Sequence, residues 1–317
     1  MTTTSGIHGI LRALRNPNYG IYTAGSSVSL IGTWMQRVAT GWLTWELTHS
    51  GTWLGIVAFA DLFPTIVIGP FAGAAADRFD RLRVTKISQC LAMVQALALF
   101  VLTVTGAIQM WSLVALTAFL GVVVAFNQPA RLAMVPSLVP RADLPAAIAI
   151  NSVVFNMARF IGPAAAGAII VASDVAWAFL ANAVTFTWFL YALSRIRLIG
   201  PIESRRRSGR NLTGDLVDGV QYAARHPGIA PILFLLLVVC VGARPVIELL
   251  PGFADHVFAA GAGGLALLTS AIGAGAVCGG LWLAGRSDPR GLTRVALHSS
   301  LGLALFTGLF AATDVLW

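Results

Sequence analysis

The chain has 317 residues, of which 57% are apolar and only 11% are charged, whereas an average soluble domain carries about 25% charged residues. A mean hydropathy of +0.80 excludes an ordinary water-soluble globule, whose surface needs far more polar cover. The net charge of +8 does not indicate a nucleic-acid-binding protein, because the basic residues form short clusters between apolar runs rather than one binding face.

Long apolar runs follow one another along the chain. Crossing the hydrocarbon of a bilayer takes roughly 20 helical residues. The runs must be helices, because lipid satisfies no backbone polar groups and the runs lack the alternating polar pattern of barrel strands. The predicted fold class is therefore an all-α polytopic membrane protein. The nine runs cover residues 19–45, 53–76, 84–105, 111–126, 147–172, 175–193, 229–250, 263–284 and 295–312.

Basic residues are confined to one side of the predicted membrane. All 21 Lys and Arg residues lie before the first run, in the even-numbered connections or, for Lys86, in the first turn of the run after such a connection, except Arg37, Arg159 and Arg244, which lie deeper inside runs. The odd-numbered connections carry acidic residues instead. By the positive-inside rule, this distribution places the N-terminus in the cytoplasm and predicts a multi-pass protein of the cytoplasmic (inner) membrane.

The longest polar connection divides the chain into two parts. We assign residues 1–193 to an N-terminal six-helix bundle, 194–228 to a cytoplasmic linker and 229–317 to a partial C-terminal bundle of three helices. Apolar residues recur at helical spacing in the second half of the linker, which predicts an amphipathic helix on the inner membrane surface. A plain solvated linker is the alternative.

A weak internal repeat relates the two parts. The segment GAAADRFDRLRV at the end of the second run resembles WLAGRSDPRGLTRV at the end of the eighth, at an offset of about 208 residues. Two six-helix repeats require twelve helices, so we expect that the sequence is truncated after the ninth.

A charged segment, GPFAGAAADRFDRLRVTK, follows the second run. Four of its residues resemble the loop signature of the major facilitator superfamily, G-x-x-x-D-R-x-G-R-R/K: Gly73, Asp77, Arg78 and Arg81. Asp80 stands where glycine is usual. The segments NQPARLAMVPSLVPRADLPAAIAINS and ARFIGPAAAGAII are similar to the exporter branch that includes the enterobactin exporter and the transmembrane secretion effectors. The resemblance implies the major facilitator fold.

The loop signature suggests a gate at the cytoplasmic side. Charge-assisted hydrogen bonds from this loop to a helix end can hold two halves of a protein together in one state. The resemblance implies that Asp77 faces a helix start in the second half. The alternative is that these charges only anchor the orientation of the chain.

The fifth run contains a second resemblance, to the fifth-helix signature of antiporters. It is carried by Gly162, Pro163 and Gly167. Small residues allow helices to approach closely, and Pro163 removes one helical hydrogen bond and can bend the helix. The resemblance implies that this region limits leakage in exporters. Ordinary packing of small residues is the alternative.

Charged residues inside the runs are candidate functional groups, since each costs about 2.5–3.5 kcal/mol at a helix centre. We expect Asp61 to pair with Arg37. Arg244 and Glu248 are four residues apart, share a helix face and are expected to pair with each other. Arg159 is a further intramembrane charge. Static pairs are one interpretation. The other is proton exchange by Asp61 or Glu248 as the cavity opens to each side, with Asp61 the better-centred acid.

Polar and aromatic side chains complete the candidate list. Asn156 falls on the same helix face as Arg159, so substrate contact is plausible, and Asn182 is a second cavity candidate. Trp34 is grouped with the tryptophans at run ends, which interface anchoring explains.

These features predict a secondary active transporter that exports a small amphiphilic or hydrophobic molecule, such as a drug, siderophore or metabolite, by proton antiport and alternating access. Export rather than import rests on the family resemblance. The expected partners are a small-molecule substrate, protons and membrane lipids, without nucleic acid, and the protein is expected to be monomeric. No cofactor, metal site or enzymatic activity is expected, since no nucleotide-binding loop or catalytic constellation is evident. The alternative is a non-transporting membrane scaffold or an inactive transporter fragment.

The orientation can be tested at the charged segment. A single cysteine introduced as Phe79→Cys, with Cys90, Cys240 and Cys278 replaced by serine, should react with a membrane-impermeant maleimide in inside-out vesicles only. The physical reason is that the arginines of this segment are retained in the cytoplasm. Labelling of this cysteine in intact cells would place the segment outside and contradict the orientation.

Overall fold

The computed structural model describes residues 4–196, 221–284 and 291–316; the side chains of residues 4–8, 70, 74–78, 244 and 284 lie outside this description. Within these residues the chain is helical and contains no strand. The helices are α1 (Thr4–Arg15), α2 (Pro17–Thr48), α3 (Gly51–Arg78), α4 (Arg81–Val104), α5 (Met110–Met134), α6 (Leu144–Ala172), α7 (Val175–Arg195), α8 (Ala230–Gly252), α9 (Gly261–Ala284) and α10 (Leu292–Ala311).

Eight helices in the described part of the chain, α3 to α10, are long and apolar enough to cross a membrane. The first expected run, 19–45, lies on α2, which is 32 residues long but is not among the eight. Its serine, threonine, glutamine and arginine side chains make it more polar than its neighbours. The predicted all-α polytopic membrane architecture is confirmed.

The helices form two groups. In the first group, α2 packs against α6 and α7, α3 packs against α5, and α4 packs against both α5 and α7. In the second group, α8 contacts α9 and α10. The two groups meet where α9 packs on α6 and where α8 contacts α2 and α3. We call α2 to α7 the first helix group and α8 to α10 the second.

The connection between the two groups is only partly described. Residues 221–225 are helical, whereas 197–220, with most of the predicted amphipathic helix, lie outside the described residues. The domain boundaries at 193 and 228 therefore stay a prediction.

The start of the first group is fixed by local capping and by two tertiary contacts. The Asn16 side chain accepts hydrogen bonds from the Asn18 and Tyr19 amides, and Pro17 occupies the first turn of α2, which is the usual chemistry of a helix start. Arg12 of α1 forms an ion pair with the buried Asp143. The Tyr19 hydroxyl donates to the Ala147 carbonyl at 2.8 Å. These contacts tie α1 and α2 to the start of α6.

The two ends of the helix array differ in charge. We call the end at which α2 begins the basic end, because the connections there carry the arginines, and the end at which α2 finishes the acidic end, where Glu46, Asp174 and Asp255 lie. A core cluster at the basic end draws its buried residues from 13–196 alone. The cluster at the acidic end also includes Leu250, Ala254 and Leu265 of the second group.

A row of buried polar side chains runs along α2 inside the first group. The Ser29 hydroxyl donates to Gln89 at 3.3 Å, and the Gln36 amide nitrogen donates to Gln95 at 2.9 Å. The Asn182 amide nitrogen in turn donates to the Gln36 oxygen at 2.7 Å. All five side chains are buried. Because lipid offers no competing water, such bonds fix the mutual register of α2, α4 and α7.

The polar row makes a prediction about stability. Gln36→Leu should destabilise the protein by about 1–3 kcal/mol, because it leaves the buried amides of Gln95 and Asn182 short of a partner. The double variant Gln36→Leu with Asn182→Leu should lose less than the two single variants added together, by about 0.6 kcal/mol. Thermal unfolding in detergent, followed by tryptophan fluorescence, measures both. Strict additivity would mean that the Gln36–Asn182 bond contributes nothing.

Candidate functional site

A cavity of about 100 Å³ lies between the two helix groups. Helices α2 and α6 form one wall and α8 and α9 form the other. Most of its lining is apolar. The exceptions are Trp34, Arg37, Arg159, Glu248 and Thr269. The cavity therefore contains both ionisable side chains and an apolar surface. It lies at the boundary between the two helix groups.

Arg37 is the centre of the charged cluster beside this cavity. Its Nη2 atom lies 3.1 Å from Asp61 Oδ2 on α3 and 3.1 Å from Glu248 Oε1 on α8. One guanidinium thus contacts one carboxylate in each helix group. The side chains of Arg37, Asp61 and Glu248 are 33%, 28% and 22% exposed, so all three are partly buried, and Arg37 and Glu248 line the cavity.

The pairing differs in one respect from the expectation based on sequence. Asp61 contacts Arg37, as anticipated from their places on neighbouring helices. Glu248 also contacts Arg37, across the boundary between the groups, which the sequence analysis did not anticipate. The side chain of Arg244 lies outside the described residues, so its pairing with Glu248 stays a prediction.

Trp34 is a cavity residue rather than an interface anchor. The guanidinium carbons of Arg37 and Arg159 lie 5.7 and 5.6 Å from the centre of its ring, within the range of cation–π attraction. Phe155 meets the same ring edge-on at 5.7 Å. The indole therefore positions two arginines from different helices. The sequence signal for this role was its position: Trp34 lies in the middle of the first run, one turn before Arg37, and not at a run end.

The Gly-Pro motif of α6 lies where this helix approaches α2 and α9 closely. A Cβ on Gly162 would stand 2.5 Å from Trp34 Cβ and 2.8 Å from the Ile31 carbonyl oxygen, and one on Gly167 would overlap Ala266 of α9. Only glycine therefore fits these two positions without a shift of the backbone. Pro163, between them, lines the cavity. The motif thus presses α6 against α2 on one side and α9 on the other.

The charged loop after α3 is described in part. The Arg81 Nη1 donates to the Ala133 carbonyl at 2.8 Å, at the C-terminal end of α5, where a cation is favoured. The Asp80 side chain accepts from the Leu82 and Arg83 amides, so the residue that departs from the family signature caps α4. The side chains of Asp77 and Arg78 lie outside the described residues. No described atom lies within 4 Å of a Cβ placed on Gly73.

The two asparagines expected in the cavity lie elsewhere. Asn156 is partly exposed and its side chain donates to the Ser152 carbonyl of its own helix at 2.9 Å. Asn182 is buried in the polar row of the first group, bonded to Gln36 and Thr185. Neither belongs to the cavity lining that the structure describes. Arg159, on the same helix as Asn156, does.

Further contacts between the groups lie toward the acidic end. The Trp45 indole nitrogen donates to Asp255 Oδ2 at 2.9 Å, and its ring lies against Gly252. Leu250 and Ala254 of the same segment are buried. These contacts join α2 to the end of α8 beyond the charged cluster.

Comparisons with known proteins agree with this architecture. A family profile of transmembrane secretion effectors matches residues 9–317. The chain is 29% identical over 166 residues to the staphyloferrin A transporter of Staphylococcus aureus (strain NCTC 8325 / PS 47), covering 52% of this chain and 42% of the relative. It is 31% identical over 229 residues to the multidrug efflux pump Tap of Mycolicibacterium fortuitum, covering 70% and 53%.

A third relative, macrolide efflux protein A of Streptococcus pyogenes, is 22% identical over 292 residues, covering 89% of this chain and 70% of the relative. The chain spans about half the length of the first two relatives. The family consists of multi-pass membrane transporters rather than enzymes. On the match of nearly its whole length, together with the helical architecture, this chain belongs to the transmembrane secretion effector family of the major facilitator superfamily.

Proposed function

We propose that this protein is a secondary active transporter that exports a small amphiphilic or hydrophobic molecule, such as a drug, siderophore or metabolite, by proton antiport and alternating access. The observation that carries the proposal is Arg37, which contacts a carboxylate of each helix group beside the cavity. The relatives support export, since two of them are named as efflux proteins.

The proton step follows from the charge balance of the cluster. Arg37, Asp61 and Glu248 together carry one negative charge when both acids are ionised. A proton on either acid removes one ion pair of Arg37 and balances the charge of the three groups. We take Asp61 as the principal proton carrier, as its place near the centre of α3 suggests. Glu248 is then the link that ties the second group to the first.

The conformational step follows from where the groups touch. Among the described residues, the Trp45–Asp255 hydrogen bond and the Arg37–Glu248 ion pair span the boundary toward the acidic end. A change in the ionisation of the cluster weakens or strengthens one of them, so protonation biases the rocking of one group against the other. An ion pair of this kind is either formed or broken, which suits a transporter that alternates between two conformations.

The basic end supplies the second proposed gate. Arg81 holds the loop after α3 to the end of α5, so the loop moves with the first group. We propose that Asp77 and Arg78 extend from this fixed loop to the other half of the transporter in one state. Gly73, Asp77, Arg78 and Arg81 then act as the cytoplasmic gating motif.

We further propose that the N-terminus and the basic end face the cytoplasm, since the arginines are retained there. The proposed membrane is the cytoplasmic (inner) membrane. The proposed partners are the substrate, protons and membrane lipids, and the proposed working unit is a monomer.

The function is tested at the proton carrier. Asp61→Asn should reduce pH-gradient-driven efflux to the level of cells without the protein, because the variant cannot gain or lose a proton at α3. The isosteric amide should leave membrane insertion intact. The assay compares growth and accumulation in a panel of toxic amphiphiles that includes ethidium, using the compound to which wild type gives most resistance.

The matched control is Asp314→Asn, an exposed acid beyond α10, which should export like wild type. Full gradient-driven efflux by Asp61→Asn would exclude the proton role of this residue. If wild type changes the accumulation of no compound and no added solute evokes proton flux in proteoliposomes, the scaffold interpretation is favoured instead.

A further inference from the structure

Building on the proposed function, we propose that the cavity selects a small zwitterion with an apolar body, in which a carboxylate contacts Arg159 and an ammonium contacts Glu248. The cavity wall carries charges of both signs: Arg159 on α6 and Glu248 on α8. The ligand class is that of an amino acid or very short peptide with an apolar side chain.

The positions of the charges fit such a ligand. The Arg159 guanidinium lies over the Trp34 ring, and the Arg37 guanidinium lies near the same ring and contacts Glu248. Arg159 therefore borders the Trp34 ring directly, and Glu248 is joined to the same ring through Arg37. Both groups line the cavity, so the two charged ends of one ligand can contact them while its apolar body lies against the apolar part of the wall.

The apolar part of the cavity wall also suits such a ligand. The apolar remainder of the wall, including Ile247, Leu265 and Ile272, suits a side chain without further polar groups.

The sign of the coupling to protons separates a zwitterion from a simple anion. A ligand ammonium at Glu248 stabilises the ionised acid, so the ligand and a proton disfavour each other's binding, as antiport requires. An anion without an ammonium would draw Arg37 away from its carboxylates and favour their protonation, which couples the ligand and the proton with the opposite sign. Only a ligand with a cationic end fits both Glu248 and the proposed exchange.

Three probes with the same phenyl body separate the alternatives: L-phenylalanine is the zwitterion, 3-phenylpropionate the anion and 2-phenylethylamine the cation. Their binding to the detergent-purified protein is followed by tryptophan fluorescence, in which a phenyl ring is silent. We expect L-phenylalanine to bind about tenfold more tightly than either of the others, since each charge-assisted contact contributes roughly a factor of ten or more. Its affinity should fall as the pH is lowered toward the protonation of the cluster.

Two variants assign the ends of the ligand. Arg159→Gln should weaken L-phenylalanine about tenfold and leave 2-phenylethylamine unchanged, whereas Arg159→Lys should retain most of the preference. Glu248→Gln should weaken L-phenylalanine and 2-phenylethylamine without weakening 3-phenylpropionate. The exposed Arg141→Gln at the basic end is the matched control and should behave as wild type. A monodisperse gel-filtration profile checks that each variant is folded.

Equal or tighter binding of the acid or the amine to wild type, no saturable binding of any of the three, or an unchanged preference in Arg159→Gln would overturn the proposal. These measurements use no gradient, so they are separate from the proposed function. Zwitterion selectivity without proton-driven transport would defeat the proposed function alone. Proton-driven efflux of ethidium without zwitterion selectivity would defeat this inference alone.

Discussion

One guanidinium shared by two carboxylates on different helices links the two helix groups. Arg37 would be costly inside a bilayer without compensation, and Asp61 and Glu248 supply it from opposite sides of the boundary between the helix groups. A partly buried charge with two partners can keep one when the other is neutralised. The same contact that makes the charge tolerable is therefore one that a proton can rearrange.

Around this cluster the packing divides the molecule into a stiff part and a part that can shift. Inside the first group, Gln36 uses both ends of its amide to join α4 and α7 to α2, which resists relative movement of these helices. Between the groups, α6 and α9 pack closely through small residues, such as Gly167 against Ala266, whereas α8 contacts α2 and α3 less extensively. Movement of one group against the other is the motion that the proposed function requires.

Sequence reasoning identified the features that depend on local chemistry. Run length predicted the helices, and the charges inside runs identified Arg37, Asp61 and Glu248 as candidate functional groups. Contacts between helices far apart in sequence could not be predicted, because the order of the runs does not say which helix faces meet. Glu248 was therefore assigned to Arg244 alone, and Asn182 was expected in the cavity although it completes the bundle interior. Trp34 was missed since tryptophan in a membrane protein most often marks an interface. For Asp80, the structure explains a feature that the sequence left unexplained: the residue departs from the family signature because its side chain caps α4.

The most direct test of the central claim is the distance between the two helix groups as a function of pH. Spin labels introduced as Ser137→Cys in the first group and Leu233→Cys in the second, with the native cysteines replaced by serine, report this distance by double electron–electron resonance. A distance distribution that shifts as the cluster is protonated is predicted for wild type, and an Asp61→Asn protein should show the low-pH distribution at every pH. The same pH-dependent shift in Asp61→Asn as in wild type would contradict the claim that protonation of the charged cluster controls the motion.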